Sequence, residues 1–495
     1  MGIVRKQSIL GSFWVYLGAL LGFVTSALLF PHYFTSEQIG LINLIVTYGT
    51  LFSRFASAGF QNTITRMFPY FRNEEKGHNG FLFLTVITVC IASLLMIGLY
   101  LLLYPYIVTN KSEGGNLLSQ FAILIVPMFI FLAFYEVFDA YTKALFNATR
   151  GIFAKEVLFR ILTLILIVLF IYQYVDFTEF TYLYVCGYFV IFLCLIIALL
   201  REKQICLRPD FSLIDRPMAK ELFQVSLYGI IIMSANIIVV NIDRIMIEKL
   251  MIENPLSQVG IYTTCTYFAT MVILPNRPLQ KITSTLVAEA WKIKDMKQLQ
   301  VLYEKSTITQ LVIGTLVFFG LCINLDYIFQ IIPEEYSAGK WVIVFIGLFY
   351  LSDMAAGVNK DIVSNSPKYK KLSHWTIALI VVIILLNFIF IPSYGISGAA
   401  ISSCVARVLY NFVAFGYVKR KFGLQPYSLK HLVILLIGGV SFAICYFVPE
   451  TSNLILNILI KSGLLTIIFC LFVYFFHVSE DVDELAEGFF KKLKR

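Results

Sequence analysis

The sequence predicts an all-α, polytopic membrane protein, because of its composition, its long apolar runs and the placement of its basic residues. Of the 495 residues, 59% are hydrophobic and only 14% are charged, and the mean hydropathy is +0.81. Soluble globular domains carry about 25% charged residues, so this composition is typical of a chain that lies mostly in lipid.

Apolar runs predict about 14 transmembrane helices, since each run has the roughly 20 residues needed to cross a bilayer. The runs lie at 9–30, 39–60, 80–103, 118–140, 153–173, 180–200, 221–244, 259–280, 306–332, 341–363, 373–392, 396–418, 432–448 and 454–476. No loop between them is long enough for a separate catalytic domain. In the tail, 481–495, apolar residues at helical spacing and basic residues at the end predict an amphipathic helix on the membrane surface.

Basic residues predict the orientation of these helices. About 31 Lys and Arg lie in loops on the side of the N-terminus and about 3 lie opposite, so the positive-inside rule places both termini in the cytoplasm. Arg5 and Lys6 precede the first apolar run and no small-residue cleavage site follows, so this run is predicted to be a retained helix. These topology signals account for the net charge of +9, and we infer no nucleic-acid partner.

The second predicted span carries a row of polar residues on one helical face. Spacings of three or four residues align Asn43, Thr47, Thr50, Arg54, Ser57, Gln61 and Thr65. Arg54 lies roughly 22 Å from the outer end of this helix, at about 1.5 Å per residue. A charge at that depth costs several kcal/mol unless it meets water or a partner. The row favours a water-filled cavity lined by Arg54, and the alternative is a purely structural ion pair with a neighbouring carboxylate.

A repeat of roughly 220 residues relates the second predicted span to the eighth. The shift places Gly40 on Gly260, Asn43 on Thr263, Thr50 on Thr270, Ser57 on Arg277 and Gln61 on Lys281. The arginine of the second half, Arg277, therefore lies one turn later than Arg54 on the same stripe. Since the shift covers six spans, it predicts parallel lobes at 1–205 and 206–425 with a site between them. Two additional spans and the tail follow in 426–495, and the alternative to a repeat is two independently polar helices.

Further charges lie inside the predicted spans. Asp353 and Arg407 fall near mid-bilayer, where they either pair as structure or flank an ion route. Asp243 and Arg244 end the seventh run near the outer surface, where snorkelling is the usual explanation. Asp243 and Asp353 are also candidate sites for a coupling proton or sodium ion.

The inner end of the fourth predicted span holds two acidic residues, Glu136 and Asp139. Lys143 follows Asp139 by four residues, and this spacing predicts an ion pair at the end of the helix.

Motifs for metal or enzyme chemistry are missing from the sequence. The nine cysteines fall mostly in apolar runs without a CxxC spacing, and the five histidines lack ligand spacing. We find no GxxxxGK[ST], HExxH or GxSxG motif, so neither ATP-driven pumping nor catalysis is predicted. No cofactor is expected, with a proton or sodium gradient as the candidate energy source.

Several segments resemble a known transporter family. They are GSFWVYLGALLGFVTSALLFPHYFTSEQIG, ASAGFQNTITRMFPYF, NIDRIMIEKL followed by VGIYTTCTYFA, and IPSYGISGAAISS. Over essentially its whole length the chain resembles the polysaccharide transporter (O-antigen flippase) family of the multidrug/oligosaccharidyl-lipid/polysaccharide exporter superfamily. The resemblance implies two six-helix lobes around a central cavity, with two additional C-terminal helices.

The resemblance also implies an activity in the bacterial cytoplasmic membrane. A polyprenyl-pyrophosphate-linked oligosaccharide, such as a lipopolysaccharide O-antigen unit, would move from the inner to the outer leaflet. Membrane lipids, glycosyltransferases and a polymerase of the same pathway are the partners it implies. The expected substrate-binding residues are Arg54, Arg277, Thr47, Thr50, Ser57, Gln61, Thr270 and Lys281.

Three other functions are alternatives that the sequence fits less well. Related flippases of peptidoglycan precursor carry cavity arginines on spans 1, 2 and 8, but no arginine lies between Leu10 and Phe30 here. A cation-coupled drug exporter of the same fold should have an acidic cavity, whereas the mid-membrane charges lean basic. A membrane-embedded glycosyltransferase, polymerase or ligase should have a large outer loop or an acidic metal-binding motif, and the sequence has neither.

Overall fold

A computed structural model describes residues 2–108, 117–210 and 212–479 of the chain. Helices make up these ranges almost entirely, and no strand occurs within them. The surface helix predicted at 481–495 lies outside the described residues.

Eleven helices among the described residues are long and apolar enough to cross a membrane. One of them, Lys370–Phe422, contains two predicted spans on either side of Gly395, whose φ of 56° and ψ of −137° interrupt the helix. Two more predicted spans are helical but broken, at 148–171 by a π-helical turn and at 255–292 by an irregular turn. Every predicted span therefore has a helical counterpart, and the polytopic all-α fold is confirmed.

Two compact units divide the chain, Met1–Gly260 and Ile261–Arg495. The spanning helices of the first are α1 Leu10–Tyr33, α2 Ser36–Phe71, α3 Gly77–Ile107, α4 Leu117–Ala144, α5 148–171, α6 Phe177–Arg201 and α7 Arg216–Leu250. Helix α8, at 255–292, begins in this unit and continues into the second. The first unit thus extends past residue 205, and the lobe boundaries at 205 and 425 stay predictions.

The second unit contains the remaining spanning helices. They are α9 Met296–Ile323, α10 Glu334–Ala355, α11 370–394, α12 396–422, α13 Leu429–Tyr446 and α14 Leu454–Phe475. A short helix, Asn359–Ser364, lies between α10 and α11. Helix α10 packs mainly on α9 and on the α11–α12 segment, and α9 packs on α13.

Helix α2 consists of two pieces that meet at a sharp break. A capping box between Thr35 and Gln38 starts the first piece, Ser36–Ala56, and the second is Phe60–Phe71. Between them Gly59 has a φ of 68°, which glycine adopts without steric cost, and a side chain there would meet the backbone of α7. The break brings Arg54, at the end of the first piece, beside Gln61 at the start of the second.

The residues that the 220-residue shift relates make reciprocal contacts within the first unit. A Cβ on Gly40 would lie 1.8 Å from the carbonyl oxygen of Leu256, and a Cβ on Gly260 would lie 1.9 Å from that of Ser36. Leu256 follows Ser36 by the same separation as Gly260 follows Gly40. The contacts thus have the reciprocity of a local two-fold axis, and only glycine permits the close approach.

Gly40→Ala is expected to destabilise the protein, because its methyl group would force α2 and α8 apart at this contact. Overpacking of this kind costs about 1–3 kcal/mol. Thermal unfolding of the detergent-purified protein measures the loss. The matched control is Gly98→Ala in α3, where an added Cβ meets no atom within 4 Å. Equal melting temperatures for the two variants would show that the close contact contributes nothing.

Candidate functional site

A polar cavity of about 480 Å³ lies within the first unit, among α1, α2, α4, α5 and α7. Its basic lining residues are Arg54, Lys143 and Lys155, its acidic ones are Glu136, Asp139 and Glu156, and its neutral polar ones are Gln61, Asn62, Thr65 and Tyr135. These residues belong to the halves of α2, α4 and α5 for which the sequence predicts a cytoplasmic location, and this orientation stays a prediction.

Arg54 reaches into this cavity from the break in α2. One terminal nitrogen lies 2.8 Å from a carboxylate oxygen of Glu136 on α4, and the other donates a hydrogen bond of 2.9 Å to Gln61. Its side chain is 13% exposed, so the cavity still reaches it. Arg54 therefore lines a cavity and also pairs with a neighbouring carboxylate, and its role in substrate binding stays a prediction.

The pair between Arg54 and Glu136 is incompletely satisfied. Glu136 is buried, and its second carboxylate oxygen has no hydrogen-bond partner among the described residues. The Nε of Arg54 likewise lacks a partner in the described part of the chain.

One turn along α4, Asp139 pairs with Lys143, which confirms the ion pair predicted from their spacing.

Lys155 is a cavity cation that no sequence pattern singled out, since it counts only among the basic residues of the topology signal. It lies in the π-helical turn Phe153–Leu158 of α5, and π-turns occur frequently at functional sites. Its side-chain nitrogen lies 5.8 Å from the ring centre of Tyr135, and no carboxylate within the described ranges comes within ion-pairing distance. A single lysine at the start of an apolar run gives no periodic signal that could distinguish it from a topology residue.

The rest of the polar row on α2 is only partly in the cavity. Gln61 and Thr65 line it, whereas Thr47, Thr50 and Ser57 do not. The hydroxyls of Thr50 and Ser57 donate to carbonyls three residues earlier on their own helix, and buried Thr47 donates to Asn241 on α7. Such local bonds satisfy a hydroxyl inside a helix without any ligand.

The corresponding stripe of the second unit lies on α8. Thr270 falls in the irregular turn and donates 2.6 Å to the carbonyl of Tyr267, so it too bonds to its own helix. Arg277 and Lys281 follow on the next helical piece, Asn276–Lys292, and both side chains are exposed. Neither has an ion-pair partner among the described residues.

Asp353 and Arg407 form an ion pair inside the second unit. The Nε of Arg407 donates 2.6 Å to one oxygen of Asp353, and a second guanidinium nitrogen donates to the other oxygen. Lys360 lies 3.3 Å and the Asn411 amide 3.0 Å from the same carboxylate. Because the carboxylate is fully engaged, this geometry favours the structural alternative over an ion route.

Snorkelling does not describe Asp243. Asp243 is buried, with only 4% of the residue exposed. It lies inside α7, which continues to Leu250, rather than at the end of the helix. Arg244 donates 2.8 Å to Asn241 on the same helix. The expectation of a surface-seeking pair at this position was therefore wrong.

Comparisons with known proteins agree with this architecture. The profile of the family described as "Polysaccharide biosynthesis protein" matches residues 4–275, more than half of the chain. The solved structure of "Lipid II flippase MurJ, inward closed conformation" is similar with a TM-score of 0.78 and 14% identity, over 95% of this chain and 99% of that one. The solved structure of an inward-facing multidrug resistance MATE family transporter of the MOP superfamily is similar with a TM-score of 0.62 and 17% identity. The similarity covers 84% of this chain and 94% of that one.

No curated protein matches the sequence. At 14% and 17% identity the two solved structures bear on the fold alone, which is that of membrane transporters. The family match covers α1 to α7 and the first part of α8, including the whole lining of the cavity. The chain belongs to the family described as "Polysaccharide biosynthesis protein".

Proposed function

We propose that this protein is a flippase that moves a polyprenyl-pyrophosphate-linked oligosaccharide from the inner to the outer leaflet of a bacterial cytoplasmic membrane. The observation that carries the proposal is a polar cavity within the membrane-spanning helices, lined by Arg54 and by Lys155. Both termini would be cytoplasmic, and the glycosyltransferases and polymerase of a surface-polysaccharide pathway would act before and after it.

The chemistry of such a cargo explains why a cavity of this kind is needed. The polyprenyl tail can remain in hydrocarbon, whereas the pyrophosphate and sugars are too polar to cross it. The guanidinium of Arg54 offers paired donors that match phosphate oxygens, and Lys155 adds a mobile point charge. Gln61, Asn62 and Thr65 can donate to or accept from sugar hydroxyls without selecting one sugar.

Transport would proceed by alternating access. Arg277 and Lys281 are the further candidate substrate-binding cations, and both are exposed. A potential that is negative inside drives a negatively charged head group outward, by about 2.3 kcal/mol per charge and 100 mV. This contribution acts without an ion site. A proton or sodium gradient is the further candidate energy source.

The guanidinium of Arg54 favours an anionic cargo over a cationic drug, because its donors match phosphate oxygens and a cationic drug cannot use them. The charges of the lining are otherwise balanced at three basic and three acidic residues, and Lys155 and Glu156 form no ion pair among the described residues. Peptidoglycan precursor is the second candidate cargo, because the fold is similar to that of the MurJ flippase and the required phosphate chemistry is the same.

A deletion strain tests the proposed cargo. We expect surface polysaccharide to disappear and lipid-linked oligosaccharide to accumulate, while drug susceptibility and peptidoglycan synthesis stay normal. Increased drug susceptibility alone would contradict the proposal in favour of an exporter. Loss of cell-wall synthesis would identify peptidoglycan precursor as the cargo instead.

Arg277→Ala in the complemented strain is expected to lower surface polysaccharide about tenfold or more, since a hydrogen bond to a charged group contributes about 1.5–3 kcal/mol. Immunoblots of the polysaccharide measure the effect at matched protein level. Lys292→Ala, which removes an exposed cation from the end of the same helical piece, is the control and should be silent. Normal polysaccharide with Arg277→Ala would remove this residue from the transport path.

A further inference from the structure

We infer that Glu136 is an internal counter-anion, which occupies Arg54 in the empty carrier and is displaced when the phosphate of the cargo binds. The inference rests on the proposed function and assigns a role in it to a residue that no motif marks. Glu136 would set the affinity for cargo and allow the unloaded protein to return.

The geometry of the pair indicates that it can be exchanged. Glu136 uses one oxygen toward Arg54, at 2.8 Å, and leaves its other oxygen without a hydrogen bond among the described residues. The Asp353 carboxylate of the second unit instead engages Arg407 with both oxygens and also contacts Lys360 and Asn411. A competing anion can displace the carboxylate of a monodentate ion pair at a cavity wall more readily than that of a bidentate ion pair.

The residues around Glu136 include a cation that can compensate its charge after it leaves Arg54. Facing groups are Arg54 and Gln61 on α2, Asp139 and Lys143 on α4, and Tyr135, Lys155 and Glu156 at the cavity wall. Asp139 already engages Lys143, so Lys155 is the cation left to compensate Glu136. Lys155 lines the same cavity as the Glu136 carboxylate.

Such an exchange would matter because a buried charge without a partner is costly. When the head group leaves, Arg54 would otherwise remain unpaired in the membrane interior while the carrier rearranges. Glu136 restores a neutral pair, so the empty carrier can return. The Glu136 carboxylate therefore weakens the binding of cargo but speeds the return of the empty carrier.

Glu136→Gln should change these two quantities in opposite directions, raising the affinity for the anion and lowering the rate of return. In the full-length protein in nanodiscs, inorganic pyrophosphate should bind about tenfold tighter than to the wild type, because the competing carboxylate is gone. In liposomes, flipping of labelled lipid-linked oligosaccharide should keep its first turnover and lose at least about tenfold in the steady-state rate. Glu37→Gln, which removes an exposed carboxylate from the first turn of α2, should change neither quantity.

Glu136→Asp covers the case in which the amide variant does not fold, since it keeps the charge but withdraws it from Arg54. Its affinity for pyrophosphate should rise less than tenfold. Unchanged or weaker binding in a folded variant would overturn the counter-anion. If wild type and variants alike neither bind pyrophosphate nor flip the lipid, the proposed function itself fails.

Discussion

Replacing Arg54 by Ala is expected to abolish surface-polysaccharide assembly and, at the same time, to destabilise the first unit. The truncation leaves Glu136 buried with no guanidinium beside it, and breaking a buried pair in this way costs about 3–5 kcal/mol. Loss of transport by this variant alone would therefore be ambiguous. Arg54→Lys keeps the charge without the planar fork and should restore transport only in part.

The double substitution Arg54→Gln with Glu136→Gln removes this ambiguity. It deletes both charges together, so most of the lost stability should return while transport stays absent. A cycle of the two single variants and the double variant, followed by thermal unfolding and by polysaccharide immunoblots, measures both effects. Normal transport by the double variant would show that Arg54 serves only to hold the helices together.

Asp353→Ala is expected to destabilise the second unit strongly. It leaves the guanidinium of Arg407 and the amine of Lys360 without their shared carboxylate, at a cost of about 3–5 kcal/mol. Arg407→Ala should cost less, because Asp353 retains Lys360 and Asn411. The melting temperature of each purified variant measures this order.

The same residue can also be tested for ion coupling. Asp353→Asn keeps the shape of the side chain, and its transport should respond to proton and sodium ionophores as the wild type does. If the Asp353→Asn protein folds but its transport no longer depends on an ion gradient, this carboxylate takes part in ion coupling.

The helices and the location of the polar stripe were predictable because they depend on local sequence. A run of about 20 apolar residues predicts a spanning helix wherever it occurs. Spacings of three and four place Arg54 and Gln61 on one face, and the pair of Asp139 with Lys143 follows from the same geometry. The break at Gly59 then brings Arg54 and Gln61 into direct contact.

Contacts between helices were not predictable, because they depend on which faces the fold brings together. Nothing near Glu136 in the sequence indicates Arg54, which lies two helices earlier. Asp243 is buried by helices that its own sequence neighbourhood does not reveal, and Lys155 lies in a π-turn that no local pattern predicts. The hydroxyls of Thr50 and Ser57 have the right spacing for the cavity, but they bond to their own backbone.

The most direct test uses purified protein in liposomes that contain a fluorescent polyprenyl-pyrophosphate-linked oligosaccharide. We expect the wild type to expose the labelled lipid to an external sugar-modifying enzyme within minutes, and the double variant of Arg54 and Glu136 to match protein-free liposomes. Wild-type liposomes that never expose the lipid, or a double variant as fast as the wild type, would contradict a cavity in which Arg54 binds the phosphate of the cargo.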